Sequence, residues 1–228
     1  MPQPPRTRAS LFPAHKVSAG SRCVPGLAAL VAFVTVALTA IAVTPGRSAE
    51  PRSGPGSLAG QLLVATPEMQ DARFARTVIY MVRHDESGAQ GLVVNRPLRE
   101  IPLAVLLEQT GMESKGVRGT VRLHAGGPVE ALRIFVLHTA EYMTEGTLPV
   151  KDGIALTLEP DILRAIAQGK GPRRAFFALG CAGWAPGQLD AEMKTGAWVR
   201  ASADEALLFD PGYDTKWDRA MARRKIDL

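Results

Sequence analysis

The sequence predicts an α+β fold, a mixed α/β layered domain that spans residues 58–228. Two observations carry this prediction. Short apolar runs rich in β-branched residues are interspersed with segments of helical periodicity, and the two kinds of segment do not follow the regular rhythm of a doubly wound sheet. The chain shows no internal repeat, and its 228 residues suffice for one domain with an appendage.

Three N-terminal segments precede this domain. Residues 1–26 form a basic arm, residues 27–43 (LAALVAFVTVALTAIAV) carry no charge, and residues 44–57 are rich in Pro, Gly and Ser, as a flexible linker is. Basic residues and no acidic ones precede the apolar run, so the positive-inside rule predicts an exported, periplasmic domain. The length of the run leaves two alternatives open: a cleaved signal peptide, or an uncleaved anchor that keeps the protein in contact with the membrane through residues 27–43.

The domain begins with a predicted β-hairpin. Its strands, 77–82 and 91–95, are apolar and β-branched, and the intervening RHDESGAQ supplies turn residues. Further strands are predicted at 133–138, 154–158, 174–179 and 198–201. Helices are predicted at 103–109, 161–168, 188–194, 203–208 and 214–224. Pro160 marks a helix start, and Ser202 with Glu205 is expected to form a capping box.

The charge distribution argues against nucleic-acid binding. The formal net charge is +5, but residues 1–50 hold five basic residues and one acidic residue. Residues 51–228 hold 22 basic and 21 acidic residues, so the domain is nearly neutral. It therefore has no electrostatic footprint for a polyanion.

The segment GCAGWAPGQLD is the most informative motif of the domain. It is interpreted as a strand end, a glycine-bearing loop over 180–188 and a helix that begins near Gln188. One interpretation is a backbone site for an anion at the helix start; the other is a tight turn in which Trp184 is a packing anchor. Its spacing is neither a dinucleotide fingerprint nor a P-loop, so no cofactor is predicted.

Cys181 in this motif admits a catalytic hypothesis and a structural one. A thiol next to a helix start would be an activated nucleophile, but the nucleophile-elbow pattern requires glycine at position 179, where the chain has leucine. A buried, inert cysteine is the favoured interpretation. The histidines show no metal-ligand spacing, and no metal site is predicted.

Two other segments carry turn-forming residues, as loop 180–188 does. Asn95-Arg96-Pro97 is expected to end a strand, because proline cannot donate to a β-ladder, and Gly126-Gly127-Pro128 is expected to form a sharp bend. If both loops meet loop 180–188 at one end of the sheet, they form a binding cleft. The hypothetical ligand-binding residues are Asn95, Arg96, Gly126, Gly127, Cys181, Gly183, Trp184 and Gln188.

These motif blocks carry a family resemblance. The segment GQLLVATPEMQDARFARTVIYMVRHDESGAQGLVVNRPL, then GGPV, then GCAGWAPGQLDAEMKTGAWVRASADEALLFD resembles the YqgE/AlgH family of bacterial proteins over most of 58–228. The resemblance implies a bifurcated, barrel-like mixed sheet flanked by helices, and it implies no established activity. Family members generally lack an apolar leader, so the resemblance also implies a cytoplasmic location as the alternative to export. Cys181 stands where many relatives are expected to have tyrosine.

The leading functional hypothesis is a non-enzymatic protein that binds a small ligand or a protein partner, with a possible regulatory role. It follows from the absence of any nucleophile and base, or pair of carboxylates, at catalytic spacing. The first alternative is a cysteine-dependent hydrolase or redox-responsive protein that uses Cys181. The second is a transcriptional regulator, the label that some family members carry.

Overall fold

The computed structural model describes residues 56–225. The predicted arm, the apolar segment 27–43 and nearly all of the linker lie outside the described residues. None of the helices within 56–225 combines the length and the apolarity that a bilayer span requires.

The described residues form ten strands and five helices. The strands are β1 (Gln61–Ala65), β2 (Val78–Asp85), β3 (Gly88–Val93), β4 (Pro97–Pro102), β5 (Thr120–Ala125), β6 (Val129–Thr139), β7 (Leu148–Lys151), β8 (Ile154–Thr157), β9 (Ala175–Trp184) and β10 (Trp198–Ser202). The helices are α1 (Leu103–Gln109), α2 (Asp161–Ala167), α3 (Gln188–Lys194), α4 (Glu205–Leu208) and α5 (Tyr213–Met221).

The strands belong to one forked sheet. Its main path runs β10-β1-β2-β3-β9-β6-β8-β7, and β4 and β5 form a branch that joins at β9. The β5–β9 pairing is parallel, whereas the other pairings between these strands are antiparallel. The predicted α+β class is confirmed, and so is the bifurcated sheet that the family resemblance implied.

The fork arises because one edge of β9 pairs with two strands. The last residues of β9, from Ala182 to Trp184, pair with β3, and the stretch from Phe177 to Leu179 pairs with β5. Gly126 lies between the two partners: its N–H donates to the carbonyl of Leu179 at 2.8 Å, and its carbonyl accepts from the N–H of Val93 at 2.9 Å. The hydrogen-bonded ladder is therefore bridged at the point where the sheet divides.

Glycines are required at this fork because three backbones approach one another there. A Cβ atom on Gly126 would overlap the carbonyl oxygen of Gly180, and one on Gly127 would overlap the backbone of Cys181. Gly180 itself has φ +69°, a left-handed conformation that side chains other than glycine rarely adopt. We call Gly126, Gly127 and Gly180 the glycine fork.

The sheet is covered on both faces. Along β1, Leu62 and Val64 enter one hydrophobic cluster, and Leu63 and Ala65 enter another on the opposite face. Helix α5 packs on the first cluster and α3 on the second, while α1 and α2 contribute to a third that includes residues of β5. Burial on both faces explains why β1 is an unbroken apolar run rather than an alternating one.

Many of the predicted elements are confirmed, with shifted ends. The 77–82 and 91–95 hairpin is present as β2 and β3, and the five predicted helices correspond to α1 to α5. Four strands were not predicted: β1, β4, β5 and β7. Strand β4 is mostly exposed, so it lacks the apolar pattern that identifies a strand in sequence.

Three local predictions are wrong. Pro97 does not end the ladder, because it begins the edge strand β4, where its missing N–H is tolerated. Ser202 does not cap α4, because it is the last residue of β10; the Asp204 side chain instead accepts from the N–H of Leu207 at 2.7 Å. Residues Gly180–Trp184 are not loop, because β9 continues through them with β3 alongside.

Candidate functional site

A cleft of about 630 Å³ lies where β9 ends. Its lining comes from four places: the loop that follows β1, Pro128 beyond the glycine fork, the end of β9, and α3 with the start of β10. The loop is held against the start of β10 because the hydroxyl of Thr66 donates to the carbonyl of Gly196 at 2.8 Å. A volume of this size is typical of small-ligand sites.

The carboxylate of Glu192, on α3, accepts three hydrogen bonds in this cleft. Its Oε2 accepts from the indole Nε1 atoms of Trp184 and Trp198, each at 2.9 Å. Its Oε1 accepts from Nε2 of Gln188 at 2.9 Å. Gln188 and Glu192 are four residues apart on α3, so one helix face presents both side chains to the two indoles.

The two tryptophans form the aromatic floor of the cleft. Their rings meet edge to face, with centroids 6.1 Å apart, and Phe74 meets Trp198 at 5.7 Å. Both tryptophan side chains are buried, so each indole N–H needs a partner, and Glu192 is that partner. The floor and the carboxylate therefore fix each other in place.

The charged groups of the lining are predominantly acidic. The lining contains three carboxylates and one guanidinium, which gives it a formal charge of −2; these belong to Glu68, Asp71, Glu192 and Arg73. Arg73 is already engaged, because its Nη2 lies 2.7 Å from Oδ2 of Asp71 and its Nε contacts both oxygens of that carboxylate. This bidentate contact holds the pKa of Asp71 below its ordinary value and that of Arg73 above it, so both groups are ionised.

The structure brings three of the predicted site residues into this cleft: Gly183, Trp184 and Gln188. Gly183 is an exposed residue of β9, and Trp184 ends that strand. Gln188 begins α3, and its Oε1 accepts from the backbone N–H of Ala185 at 3.1 Å. Helix α3 has only seven residues and lies beside an acidic lining, so its start offers no favourable field for an anion.

Asn95 and Arg96 do not line the cleft. The amide of Asn95 bridges the N–H of Val78 and the carbonyl of Arg76, both at 2.9 Å. Arg96 donates from Nη2 to the carbonyl of Ala75 and to the hydroxyl of Thr77. These contacts tie the end of β3 to the C-terminal end of the loop that lines the cleft, so both residues position the cleft wall.

Gly126, Gly127 and Cys181 also lie outside the lining. The two glycines belong to the glycine fork, where their backbones pack on β9. The backbones of the three predicted loops do come together. The N–H of Ala125, next to Gly126, donates to the carbonyl of Arg96 at 2.9 Å, and a Cβ on Gly127 would overlap the backbone of Cys181. Their contact is a backbone junction, and the cleft opens farther along β9.

The Cys181 thiol has the properties of a core side chain. It is fully buried in a hydrophobic cluster, and burial raises its pKa, although the side-chain amide of Gln90 lies 3.1 Å from its sulfur and opposes the shift. It lies within β9 rather than at a helix start. Among the described residues, none of the hydrogen bonds of the histidine rings reaches this thiol.

His124 and Lys216 are among the titratable groups that are buried away from the cleft. His124 of β5 stacks on Phe176, with ring centroids 3.9 Å apart, and burial lowers its pKa to about 4. Lys216 of α5 is buried with its Nζ 3.0 Å from the carbonyl of Leu208 at the end of α4, and burial lowers its pKa to about 8. Both groups join secondary-structure elements, and neither lines the cleft.

The sequence interpretation missed Glu192, Trp198 and Phe74. A usable signal for Glu192 was present, because it follows Gln188 by four residues on a predicted helix. Two tryptophans flank that helix, one at the end of the preceding strand and one at the start of the next. Phe74 carried no such signal, because it lies in an irregular loop. Within residues 56–225, no cluster of His, Cys, Asp and Glu side chains is placed to hold a metal ion.

The chain is similar to bacterial proteins of one family. The profile of the AlgH-like family matches residues 62–228. A UPF0301 protein of Afipia carboxidovorans is 49% identical over 184 residues, which cover 77% of this chain and 88% of the relative. A UPF0301 protein of Rhodospirillum rubrum is 48% identical over 172 residues, which cover 75% of this chain and 90% of the relative.

Two solved structures share the fold. The solution structure of AlgH from Pseudomonas aeruginosa is 40% identical, with a TM-score of 0.65, and the match covers 75% of this chain and 91% of that protein. The crystal structure of a Corynebacterium diphtheriae protein is 22% identical, with a TM-score of 0.57, and the match covers 74% of this chain and 87% of that protein. The second likeness concerns the fold alone.

Proposed function

We propose that this chain, which belongs to the AlgH-like family, is a non-enzymatic binding protein. The names of the relatives that it matches state no activity, so the proposal rests on the geometry of the cleft. Its ligand, a small molecule or a side chain of a protein partner, occupies the cleft at the end of β9. The family resemblance inferred from the motif blocks is confirmed.

One observation carries the proposal: the Glu192 carboxylate is fixed on an aromatic floor inside a cleft of about 630 Å³. Such a site is preorganised, because the carboxylate and the rings are held by hydrogen bonds and packing before any ligand arrives. Catalysis by a carboxylate usually involves a nucleophile or a second acid–base group positioned beside it. The hydrogen-bond partners of the Glu192 carboxylate are two indoles and one carboxamide, none of which acts as a nucleophile or base.

The alternative of a cysteine-dependent activity finds no support in the site. A reactive thiol needs exposure and a lowered pKa, whereas Cys181 is buried and its pKa is raised. The label of transcriptional regulator likewise has no basis in the charge of the domain, which is nearly neutral over residues 51–228. Export or membrane attachment through residues 27–43 stays our proposal for its location, with the cytoplasm as the alternative.

The three tryptophans of the chain provide the test. Trp184 and Trp198 lie at the cleft, whereas the indole of Trp217 donates to the carbonyl of Ala65 and is an internal control. A fragment library is screened against the full chain by NMR of the three indole N–H resonances, assigned with single Trp→Phe variants. We expect binders to shift the resonances of Trp184 and Trp198 and to leave that of Trp217 in place. Binders that shift all three equally, or a library without binders, contradict the proposal.

A further inference from the structure

We propose that the ligand of the cleft is an organic cation, an alkylammonium or guanidinium group that pairs with Glu192. This inference rests on the proposed binding function and adds the chemical class of the ligand. It follows from the partners of Glu192, the charge of the lining and the aromatic floor.

The first argument is that Glu192 is oriented but not neutralised. Its three hydrogen-bond donors, two indole N–H groups and one carboxamide, are all uncharged. Within residues 56–225, no Lys, Arg or His nitrogen forms an ion pair with this carboxylate. Three acceptor positions of the carboxylate are occupied out of about four, so Oε1 can accept one further hydrogen bond. A ligand N–H that carries positive charge satisfies that position and the charge together.

The second argument is the charge of the remaining lining. Arg73 is the one basic residue of the lining, and Asp71 already binds its guanidinium. Glu68 and Glu192 then leave two carboxylates without a basic partner in the lining. Coulomb attraction favours a cation in this space and disfavours phosphates and carboxylates.

The third argument is the aromatic floor. The faces of aromatic rings attract cations, and tryptophan does so most strongly. The site already contains one contact of this type, since the Arg73 guanidinium carbon lies 5.8 Å from the centroid of the Phe74 ring. An ammonium or guanidinium group on an alkyl stem therefore matches both components, with the stem on the rings and the charge at Glu192.

A competing explanation is that Glu192 serves only to satisfy the two buried indoles. The variant Glu192→Gln separates the two roles, because its amide oxygen still accepts from both indole N–H groups while the negative charge is lost. The matched control is Glu145→Gln, which removes the charge of an exposed glutamate outside the cleft. Thermal unfolding of both variants reports whether they are folded.

The experiment titrates the full chain with four probes of similar size: butylammonium, butylguanidinium, 1-butanol and butyrate. The indole resonances are the readout. We expect the two cations to shift Trp184 and Trp198 saturably, and Glu192→Gln to weaken that binding by about tenfold while Glu145→Gln leaves it unchanged. The source of the cation is then addressed with Gly-Lys-Gly and putrescine: tighter binding of the peptide indicates a basic side chain of a partner, and tighter binding of the diamine indicates a free amine.

The inference is overturned if 1-butanol or butyrate binds as well as the cations, if neither cation binds, or if Glu192→Gln binds cations like the wild type. None of these outcomes decides whether the cleft binds ligands at all, because the fragment screen tests that function separately. Salt provides a check that needs no variant. Sodium chloride must weaken cation binding, and a salt-independent affinity contradicts an ion pair at Glu192.

Discussion

The glycine fork and the cleft lie at two places along β9 and have opposite requirements for side chains. At the fork, β9 is packed so closely by two other backbones that no side chain fits at Gly126, Gly127 or Gly180. At the end of the same strand, Trp184 carries a large side chain that joins a cleft. Some glycines of the motif therefore lie where no Cβ atom fits, and others lie where one would fit. The spacing of the motif alone does not distinguish the two kinds.

The largest expected effect distinguishes two left-handed glycines of this motif. In Gly180→Ala the new Cβ would overlap the carbonyl oxygen of Gly127 and lie 2.9 Å from that of Val129, at a backbone φ of +69°. We expect a loss of at least about 4 kcal/mol in the free energy of unfolding, because backbone rather than a flexible side chain must move. Denaturant unfolding measures this change.

The control is Gly187→Ala, because Gly187 has φ +71° but nothing within 4 Å of the added Cβ. Its expected cost is about 1 kcal/mol, that of the left-handed conformation alone. Equal losses in the two variants would show that the close backbone packing at the fork is not what requires glycine there.

The second prediction concerns the stability of the fold at low pH, which we expect to depend on the branch formed by β4 and β5 rather than on the cleft. His124 of β5 is buried, and burial lowers its pKa from 6.5 to about 4. Between pH 6.5 and pH 4, this histidine binds a proton more readily in the unfolded chain than in the folded one. The stability that neutral His124 contributes is therefore fully present above pH 6.5 and is lost as the pH falls through 4. The expected loss is about 3 kcal/mol.

Unfolding measured from pH 7.5 to pH 4 tests this prediction. The comparison variant is His124→Asn, whose side-chain amide can replace the ring Nδ1 that lies 3.0 Å from the carbonyl of Phe177 but does not titrate. The variant should lose most of the pH dependence, although buried His138, whose pKa is also lowered, keeps a part. An unchanged profile in the variant would refute the assignment to His124.

The smallest expected effect is at the cleft. Glu192→Gln should cost less than about 1 kcal/mol in unfolding free energy, because both indole N–H groups keep an acceptor. Glu192→Leu leaves both donors without that acceptor and should cost about 2 kcal/mol. Thermal unfolding of the two variants measures the difference. A large loss in Glu192→Gln would indicate that the negative charge itself is needed for folding.

Prediction from sequence succeeded where local pattern and burial agree. The β2–β3 hairpin alternates apolar runs with turn residues, and α3 follows a glycine and carries an acidic residue in its first turn. It failed for β4 and β7, whose residues are mostly exposed, and for the second half of β9. It also missed β5 and β1, although β1 is a buried apolar run. Glycines at 180 and 183 indicate a loop locally, but pairing with β3 keeps this segment in the sheet.

Of the predicted site residues, Gly183, Trp184 and Gln188 line the cleft, whereas the fold uses the others elsewhere. Asn95 and Arg96 are polar residues at a strand end, and nothing in their spacing shows that their side chains bind a neighbouring loop. Glu192 is one glutamate among several helical ones until Trp198 is brought back beside Trp184. Such convergence depends on chain segments that are distant along the sequence.

The amino-acid sequence by itself determined the α+β class, the family and the positions of the five helices, because periodicity and turn residues act over a few neighbouring positions. The tertiary structure decided which glycines lie against another backbone, that the Cys181 thiol is buried, and which carboxylate meets the two indoles. These properties depend on packing between segments far apart in the chain, and no local pattern encodes the distances between them.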